Sequence, residues 1–502
     1  MWITKAHFLS YINCSAMFWF ERRRERQPLS SAEELRIAEG RELGERARLL
    51  FPGGVLVRER EIKAAARRTY ELLSDPAIMV IFEATFVVGN FVTRADIMVR
   101  DGNRGWKLIE VKSSLHKDNH IEEAHLHDLA YTTMVVQDSG ILLTDTELMR
   151  ISSDWRLGHD DQLLFQRVEC SAPVYEFAGK FRELAQEVAV IDGLSESPEP
   201  RLTKVCQECP FFETECLGKG VEHPIFEVPR LSEVQFNQLH ALGVLDVREI
   251  PDGFRLTDNQ SRVVDCIKDG TMRINRPALE SRLDEVTWPC YYLDFETAKS
   301  AIPFWNDIAP HEQVLTQFSL HVAHGPDSEV EHFEYLSPHT EDSTRELLDA
   351  LIDNLGIEGS IVVYSSFEKT QLTKLISRFP EKISAIESIL MRLFDLEKVF
   401  KDAVGHPQFR GRTSIKKTLP ALVPEMTYAG LTIGNGETAV AAFVKMAKGL
   451  CSDDEIRSVR NDLLRYCHQD TLAMVKLHRV VMGLATLPVS EMAREAVVTE
   501  NG

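Results

Sequence analysis

The sequence predicts an α/β protein folded as more than one domain. Three observations lead there. Its 502 residues correspond to two to four domains at roughly 100–200 residues each. Hydrophobic residues make up 44% and charged residues 27%, the balance of a core-forming chain and neither a disordered nor a fibrous one. Two separate stretches carry strand-like runs and helical segments in turn. Lys and Arg number 57 against 77 Asp and Glu, a formal charge of −20, which argues against a broad basic surface for phosphates. No apolar run approaches the roughly 20 residues of a membrane helix. The moderately apolar stretch 6–20 has its arginines behind it, whereas a secretion signal carries them in front. A cytoplasmic location is the expectation.

Residues 1–50 read as helix, dense in Glu, Arg, Ala and Leu from 32 to 50 and stopped at Pro52-Gly53-Gly54. Strand-like runs at 82–92 and 93–99 precede a turn at Asp101-Gly102-Asn103 and a third run at 106–111. A helix over 121–136 and a strand near 140–143 complete this pattern. Pro198, Pro200 and a group of cysteines close it. Residues 231–250 read as a short helical connector broken at Gly243. The second pattern begins at Cys290, with strands at 291–295, 316–322, 331–335 and 361–364 and helices at 344–354 and 369–378. A long helix follows at 454–482, then a loose tail. The expected division is 1–225, a connector 226–285, a second domain 286–485, and a tail 486–502. There is no internal repeat and no glycine-rich phosphate loop.

Glu110-Val111-Lys112 ends a strand-like run, and the period of two puts Glu110 and Lys112 on one face. Asp96 lies on the preceding strand, so a hairpin brings its carboxylate beside Glu110. Two carboxylates that close resist joint ionisation unless a cation neutralises them, which points to Mg2+ or Mn2+. Lys112 then activates water or steadies phosphate. The order Glu83, Asp96, Glu110-x-Lys112 and His127-x-x-x-Tyr131 resembles the PD-(D/E)XK nucleases of the RecB type. There an acid, an Asp, a Glu-x-Lys and a helical Gln-x-x-x-Tyr surround one metal. This chain departs from that family at His127, where Gln is usual, and at Gly44, where a metal-binding His is usual.

Cys206-x-x-Cys209 and Cys216 supply three thiolates, and Cys14 is the candidate fourth. A subgroup of RecB-type nucleases is similar: one cysteine near the N-terminus and three after the nuclease core hold a [4Fe-4S] cluster. The resemblance implies such a cluster at Cys14, Cys206, Cys209 and Cys216, closing a long loop; a Zn2+ staple and unligated cysteines are the alternatives. The other five cysteines read as buried small side chains.

Tyr291-Tyr292-Leu293-Asp294-Phe295-Glu296 is an aromatic strand with two acids at i and i+2 on one face, a costly arrangement to bury without cations. It resembles the first motif of DEDD exonucleases on the RNase H-like fold. The resemblance extends to Glu368 after the strand at 361–364, where Asp is usual, and to Tyr466-x-x-x-Asp470 on the last helix, whose i and i+4 positions share a face. Asp294, Glu296, Glu368 and Asp470 then bind two divalent cations, and Tyr466 orients the water. His468 reads as an ordinary partly exposed histidine and Asp395 as a strand-end or helix-cap acid.

Basic residues cluster at Arg22-Arg23-Arg24-x-Arg26 and at Arg410-x-Arg412 with Lys416-Lys417, and the segment 411–416 is the favoured phosphate contact. As a whole the chain resembles bacterial proteins that fuse an iron-sulfur RecB-type nuclease domain to a DEDD exonuclease-like domain. That resemblance implies a metal-dependent nuclease with DNA favoured over RNA, trimming single-stranded ends in repair, recombination or defence. Two alternatives stay open: an RNA-directed exonuclease, and a nucleic-acid-binding scaffold with one inactive half.

Overall fold

The computed structural model describes residues 2–25, 27–102, 104–116, 120–217 and 220–486. Arg26, Asn103 and the tail from 487 lie outside the described residues. The fold is mixed α/β, in two compact units that are not contiguous in sequence. The first holds residues 1–203, 209–211 and 299–312; the second holds 204–208, 212–298 and 313–502. This differs from the expected division in two ways. Residues 226–285 form part of the second unit's body instead of a connector, and 299–312 belong to the first unit.

In the first unit, helices α1 (Lys5–Asn13), α2 (Ser15–Arg23) and α3 (Ser31–Leu49) replace the single helical stretch expected over 1–50. Cys14 is extended backbone that ends α1 and starts α2, and Ser30 caps α3 in a capping box with Glu33. Strands β1 (Val55–Leu56), β2 (Val80–Val88), β3 (Phe91–Arg100), β4 (Trp106–His116), β5 (Leu143–Ser152) and β6 (Phe165–Glu169) make one mixed sheet in sequence order. The turn between β2 and β3 is at Gly89-Asn90, with Gly89 at φ +56°, so the run expected to break after residue 92 breaks three residues earlier. Helix α4 (Ile62–Ser74) precedes β2, α5 (Glu123–Asp138) makes the crossover between the parallel strands β4 and β5, and α6 (Ser171–Asp192) packs against α5. Ile81, Ala84, Phe86, Leu108 and Leu148 face the core under α5 and α6. Phe82, Ile97, Ile109 and Met149 face a second core with Leu43 and Ala47 of α3 and Ile302.

The second unit opens with α7 (Glu233–Ala241), α8 (Asp258–Asp269), β7 (Arg273–Ile274) and α9 (Arg276–Leu283). Gly243, at φ +73°, ends α7, a conformation that favours glycine. The main sheet has β8 (Cys290–Ala298), β9 (Val314–Ala323), β10 (Val330–Leu336), β11 (Ser360–Val363) and β12 (Leu393–Asp395) in the order β10-β9-β8-β11-β12. The β10, β9 and β8 pairings are antiparallel; β8, β11 and β12 run parallel. Helices α10 (Thr344–Asn354), α11 (Phe367–Arg378) and α12 (Ile383–Met391) supply one face with Leu347, Leu351, Leu372 and Ile386. The other face takes α13 (Leu396–Ala403), α14 (Ile415–Leu422) and α16 (Asp453–Thr486), with α15 (Gly436–Ala447) also against β8; β13 (Val404–Gly405) pairs with β7. Leu293 and Phe295 point to the first face and Cys290 and Tyr292 to the second, so the period of two sends Asp294 and Glu296 toward α16.

Candidate functional site

Two separate groups of carboxylates are gathered, one in each unit. In the first unit a cavity of about 200 Å3 is lined by Glu83, Asp96 and Glu110 with Gly40, Gly44 and Arg48 of α3. The β3–β4 register pairs Ile97 with Ile109, which sets Asp96 opposite Glu110, and the Val111 N–H donates to Asp96 Oδ2 at 2.8 Å. Glu83 lies between the pairs Phe82–Ile97 and Ala84–Ala95 and adopts φ +56°. The core-facing alternation of β2 steps by one residue there, which frees Glu83 from both cores and turns it to the cavity. Arg48 lies 4.0 Å from Glu83.

Glu110 is almost wholly buried. Lys5 donates to its Oε1, as does Lys112 at 3.1 Å, while Oε2 is buried without a hydrogen-bond partner among the described residues. Both lysines also reach Asp128 of α5, Lys5 at 3.4 Å. Burial and repulsion from Glu110 push the Asp96 carboxyl up. Burial also opposes the charge on Glu110, but Lys5 and Lys112 outweigh it and hold that carboxyl low. Lys5 and Asp128 were missed in the sequence. Asp128 carries a readable signal, since it is an acid set in the apolar run Leu126, Leu129, Ala130; Lys5 carries none, because it enters from 105 residues upstream.

His127 and Tyr131 do not line this cavity. The His127 ring packs edge-on against Phe177 and Phe181 and pairs with Glu123 at 3.3 Å. Tyr131 is a correction to the expected site: fully buried, it donates its hydroxyl to the carbonyls of Ile3 at 2.7 Å and Val92 at 3.2 Å. It fixes the N-terminal segment to β3, with Val92 N–H donating to Ile3 O at 3.0 Å.

In the second unit a cavity of about 360 Å3 is lined by Asp294, Glu296, Glu368, Tyr466 and Asp470. One carboxylate oxygen each from Asp294, Glu296 and Asp470 lie within 4.8 Å of one another. The acids sit near the carboxyl end of β8, on the first turn of α11 after β11, and on α16. That is the crevice outside the ends of the parallel strands where open α/β sheets place ligands. Glu368 accepts from the Phe295 N–H, yet its Oε2 is buried without a partner among the described residues. Tyr466 and Tyr428 both donate to Asp470, and Tyr428 was missed in the sequence. Asp395 caps α13 through the Glu397 N–H at 3.1 Å.

Burial first, then mutual repulsion, pushes Asp294 far above the usual carboxylate range and Glu296 upward with it; burial also raises Glu368 and Asp470. Lys416 and the two tyrosines only partly offset this. The two groups therefore differ in kind. Lys5 and Lys112 neutralise much of the first, whereas the second holds four acids facing one cation side chain, and its donor set of oxygens fits divalent metals. His468 is partly exposed, as expected, and its ring centroid lies 4.8 Å from that of His321 and 4.4 Å from that of His332.

Arg22 and Arg23, in the last turn of α2, make structural contacts. Arg22 is buried and bidentate to Asp192 at 2.7 and 3.0 Å, and Arg23 stacks on Trp19 while donating to the carbonyls of Asp192 and Leu194. Arg410 is bonded to Glu227 at 2.6 Å, and Lys416 donates to Gly434 O at 2.9 Å. Arg412, with Arg230, Arg262 and Lys401, lines a cavity of about 970 Å3 that shares Glu397 and Ser414 with the second carboxylate group. Cys170, Cys266, Cys290 and Cys467 are buried, and Cys451 is partly exposed. Cys14 and Cys209 belong to the first unit, Cys206 and Cys216 to the second.

Residues 291–414 match the model of a domain of unknown function, DUF2779. The match takes in Asp294, Glu296 and Glu368 and stops short of Tyr466 and Asp470. Among curated proteins, the chain is 27% identical over 216 residues to the uncharacterized protein MG366 homolog of Mycoplasma pneumoniae, covering 39% of this chain and 32% of that protein. It is 28% identical over 215 residues to the uncharacterized protein MG366 of Mycoplasma genitalium, covering 38% and 32%. The chain thus spans about a third of the length of the curated relatives it matches. Among solved structures, the crystal structure of SSO0001 aligns with 42% of this chain and 92% of its own at 14% identity and a TM-score of 0.18. No helix among the described residues is long and apolar enough to cross a membrane.

Proposed function

We propose that this chain is a metal-dependent nuclease that hydrolyses phosphodiester bonds, acting from the ends of single-stranded DNA in repair, recombination or defence. The observation that carries the reading is the convergence of half-buried Asp294 and Glu296 with buried Asp470 within 4.8 Å, with buried Glu368 beside them. Crowding these acids together in a partly desolvated cleft is unfavourable unless cations neutralise them. In this reading the first unit is a PD-(D/E)XK domain of the RecB type and the second an RNase H-like DEDD domain.

Asp294, Glu296, Glu368 and Asp470 would hold two divalent ions, Mg2+ or Mn2+, which when bound generate hydroxide and stabilise the leaving oxygen. The chain's own groups do the rest. Tyr428 and Tyr466 fix the Asp470 carboxylate by hydrogen bonds, Lys416 offsets the charge on Glu296 and Asp470, and the cavity with Arg230, Arg262 and Arg412 offers phosphate contacts beside the acids. In the first unit Asp96 and Glu110 would hold one ion, with Glu83 nearby and Lys112 placed to orient water. Cys14, Cys206, Cys209 and Cys216 would hold a [4Fe-4S] cluster as a structural staple, since cysteine thiolates are the ligands such clusters take.

The test is digestion of end-labelled single- and double-stranded DNA and RNA with Mn2+ or EDTA, comparing the unaltered chain with Lys112→Ala and Asp294→Ala. Metal-dependent shortening of single-stranded DNA that Asp294→Ala abolishes is expected. Absence of any metal-dependent digestion would end the nuclease reading, and preference for RNA would end the DNA assignment.

A further inference from the structure

We propose that His321, His332 and His468 form a binding site for a Zn2+-class cation, separate from both carboxylate groups, that pins α16 to the edge of the second sheet. One nitrogen from each imidazole lies within 4.8 Å of the others, and the three ring centroids are 4.4–4.8 Å apart. His321 and His332 are direct cross-strand partners on β9 and β10, and His468 comes down from α16. Two consecutive strands and the remote helix α16 thus direct their imidazoles to one point.

The surroundings suit a metal. Thr471 Oγ1 bonds His321 Nδ1 at 2.8 Å, Ser319 Oγ bonds His332 Nε2 at 2.9 Å, and the two hydroxyls bond each other at 2.8 Å. That hydroxyl pair fixes two of the three ring orientations, as outer hydrogen bonds do for metal-binding histidines. Each ring keeps a second nitrogen. Burial and the neighbouring histidines hold the His321 pKa at about 3 and that of His332 at about 4, so these rings are neutral and ready to donate lone pairs at neutral pH. Zn–N bonds of about 2.0–2.1 Å require tetrahedral N···N separations of about 3.3 Å, a contraction that side-chain rotation of the half-exposed His332 and His468 supplies. Imidazole nitrogen selects Zn2+ or Co2+ over Mg2+, whereas the carboxylates of Asp294 and Glu296 on the neighbouring strand β8 select the reverse. Water completes the shell.

Ser319 is the register partner of Asp294, and His468 precedes Asp470 by two residues on α16. A cation here therefore fixes the helix that carries Tyr466 and Asp470. The site is argued from the histidines alone and stands or falls independently of nuclease activity.

The experiment is a Co2+ titration of the full chain in excess Mg2+, followed by visible d–d absorption, with His332→Gln, His468→Asn and Asp294→Ala in parallel. Each histidine variant should weaken Co2+ binding at least tenfold and remove the corresponding absorption, while Asp294→Ala keeps it and Zn2+ displaces Co2+. In the unaltered chain, Zn2+ should protect His332 and His468 together from carbethoxylation by diethyl pyrocarbonate, read by peptide mass. This second measurement decides the matter even if a variant fails to fold. Unchanged Co2+ spectra in both folded histidine variants, loss of the signal in Asp294→Ala alone, or modification of the two histidines indifferent to Zn2+ would overturn the proposal.

Discussion

Asp294→Asn separates a carboxylate group built for cations from one that is merely buried. Asp294 is enclosed by Asp470, Glu296 and Glu368, with the Cys467 thiol at 3.2 Å as a weak donor. Asn keeps the shape and removes one ionisable carboxyl from the group. In metal-free protein this removes the cost of holding that carboxyl against ionisation, about 1–3 kcal/mol or more. For a unit of this size about 2 kcal/mol corresponds to a rise in Tm of roughly 4–8 °C. The metal-bound protein behaves oppositely. Mn2+ at a hundred times its Kd stabilises the unaltered chain by about 2.7 kcal/mol, and Asp294→Asn loses most of that gain. Differential scanning calorimetry at pH 8, with EDTA and then with Mn2+, reads both effects. An Asp294→Asn chain that melts lower than the original in EDTA yet keeps its full Mn2+ response would refute the reasoning, because the acid would then be a satisfied structural group.

Other perturbations follow from the same geometry. Because Asp294, Glu296, Glu368 and Asp470 have raised folded-state pKa values, the folded chain retains protons that the unfolded chain has released. The contribution of these four acids to metal-free stability should therefore be greatest below the ordinary carboxylate range and fall as pH rises through the raised values, with Mn2+ restoring more at pH 8 than at pH 5; a Mn2+ increment independent of pH in thermal melts would count against it. Gly44→His adds an imidazole to the first cavity, where a Cβ meets only the flexible end of Arg48 at 3.5 Å. It should tighten Mn2+ binding about tenfold, near 1.4 kcal/mol, by titration calorimetry in an Asp294→Ala background, and unchanged affinity would place position 44 outside the metal's reach. Tyr131→Phe should lower stability by about 1 kcal/mol through the lost bonds to Ile3 and Val92, leaving any cleavage rate within about twofold. A hundredfold loss of cleavage at unchanged stability would return Tyr131 to the chemistry.

The strand-borne acids were the most legible part of the site. Asp294 and Glu296 alternate with Leu293 and Phe295, and Glu110 with Ile109 and Val111, so local periodicity already assigns their faces. Tyr466 and Asp470 were legible for the equivalent reason on a helix. Turn positions were less so: the Gly89-Asn90 turn is hidden in a run of β-formers, and the break at Cys14 depends on tertiary packing of two short helices.

By itself, then, the sequence determined the mixed α/β class and which acids share a face, because strand and helix periods act over a few residues. Only the tertiary structure decided which distant charges meet. Lys5 reaches Glu110, Tyr428 reaches Asp470, Tyr131 is drawn into the core, and three histidines from β9, β10 and α16 converge. Such meetings depend on strand register and helix docking over separations of tens to hundreds of residues, and no local pattern encodes them.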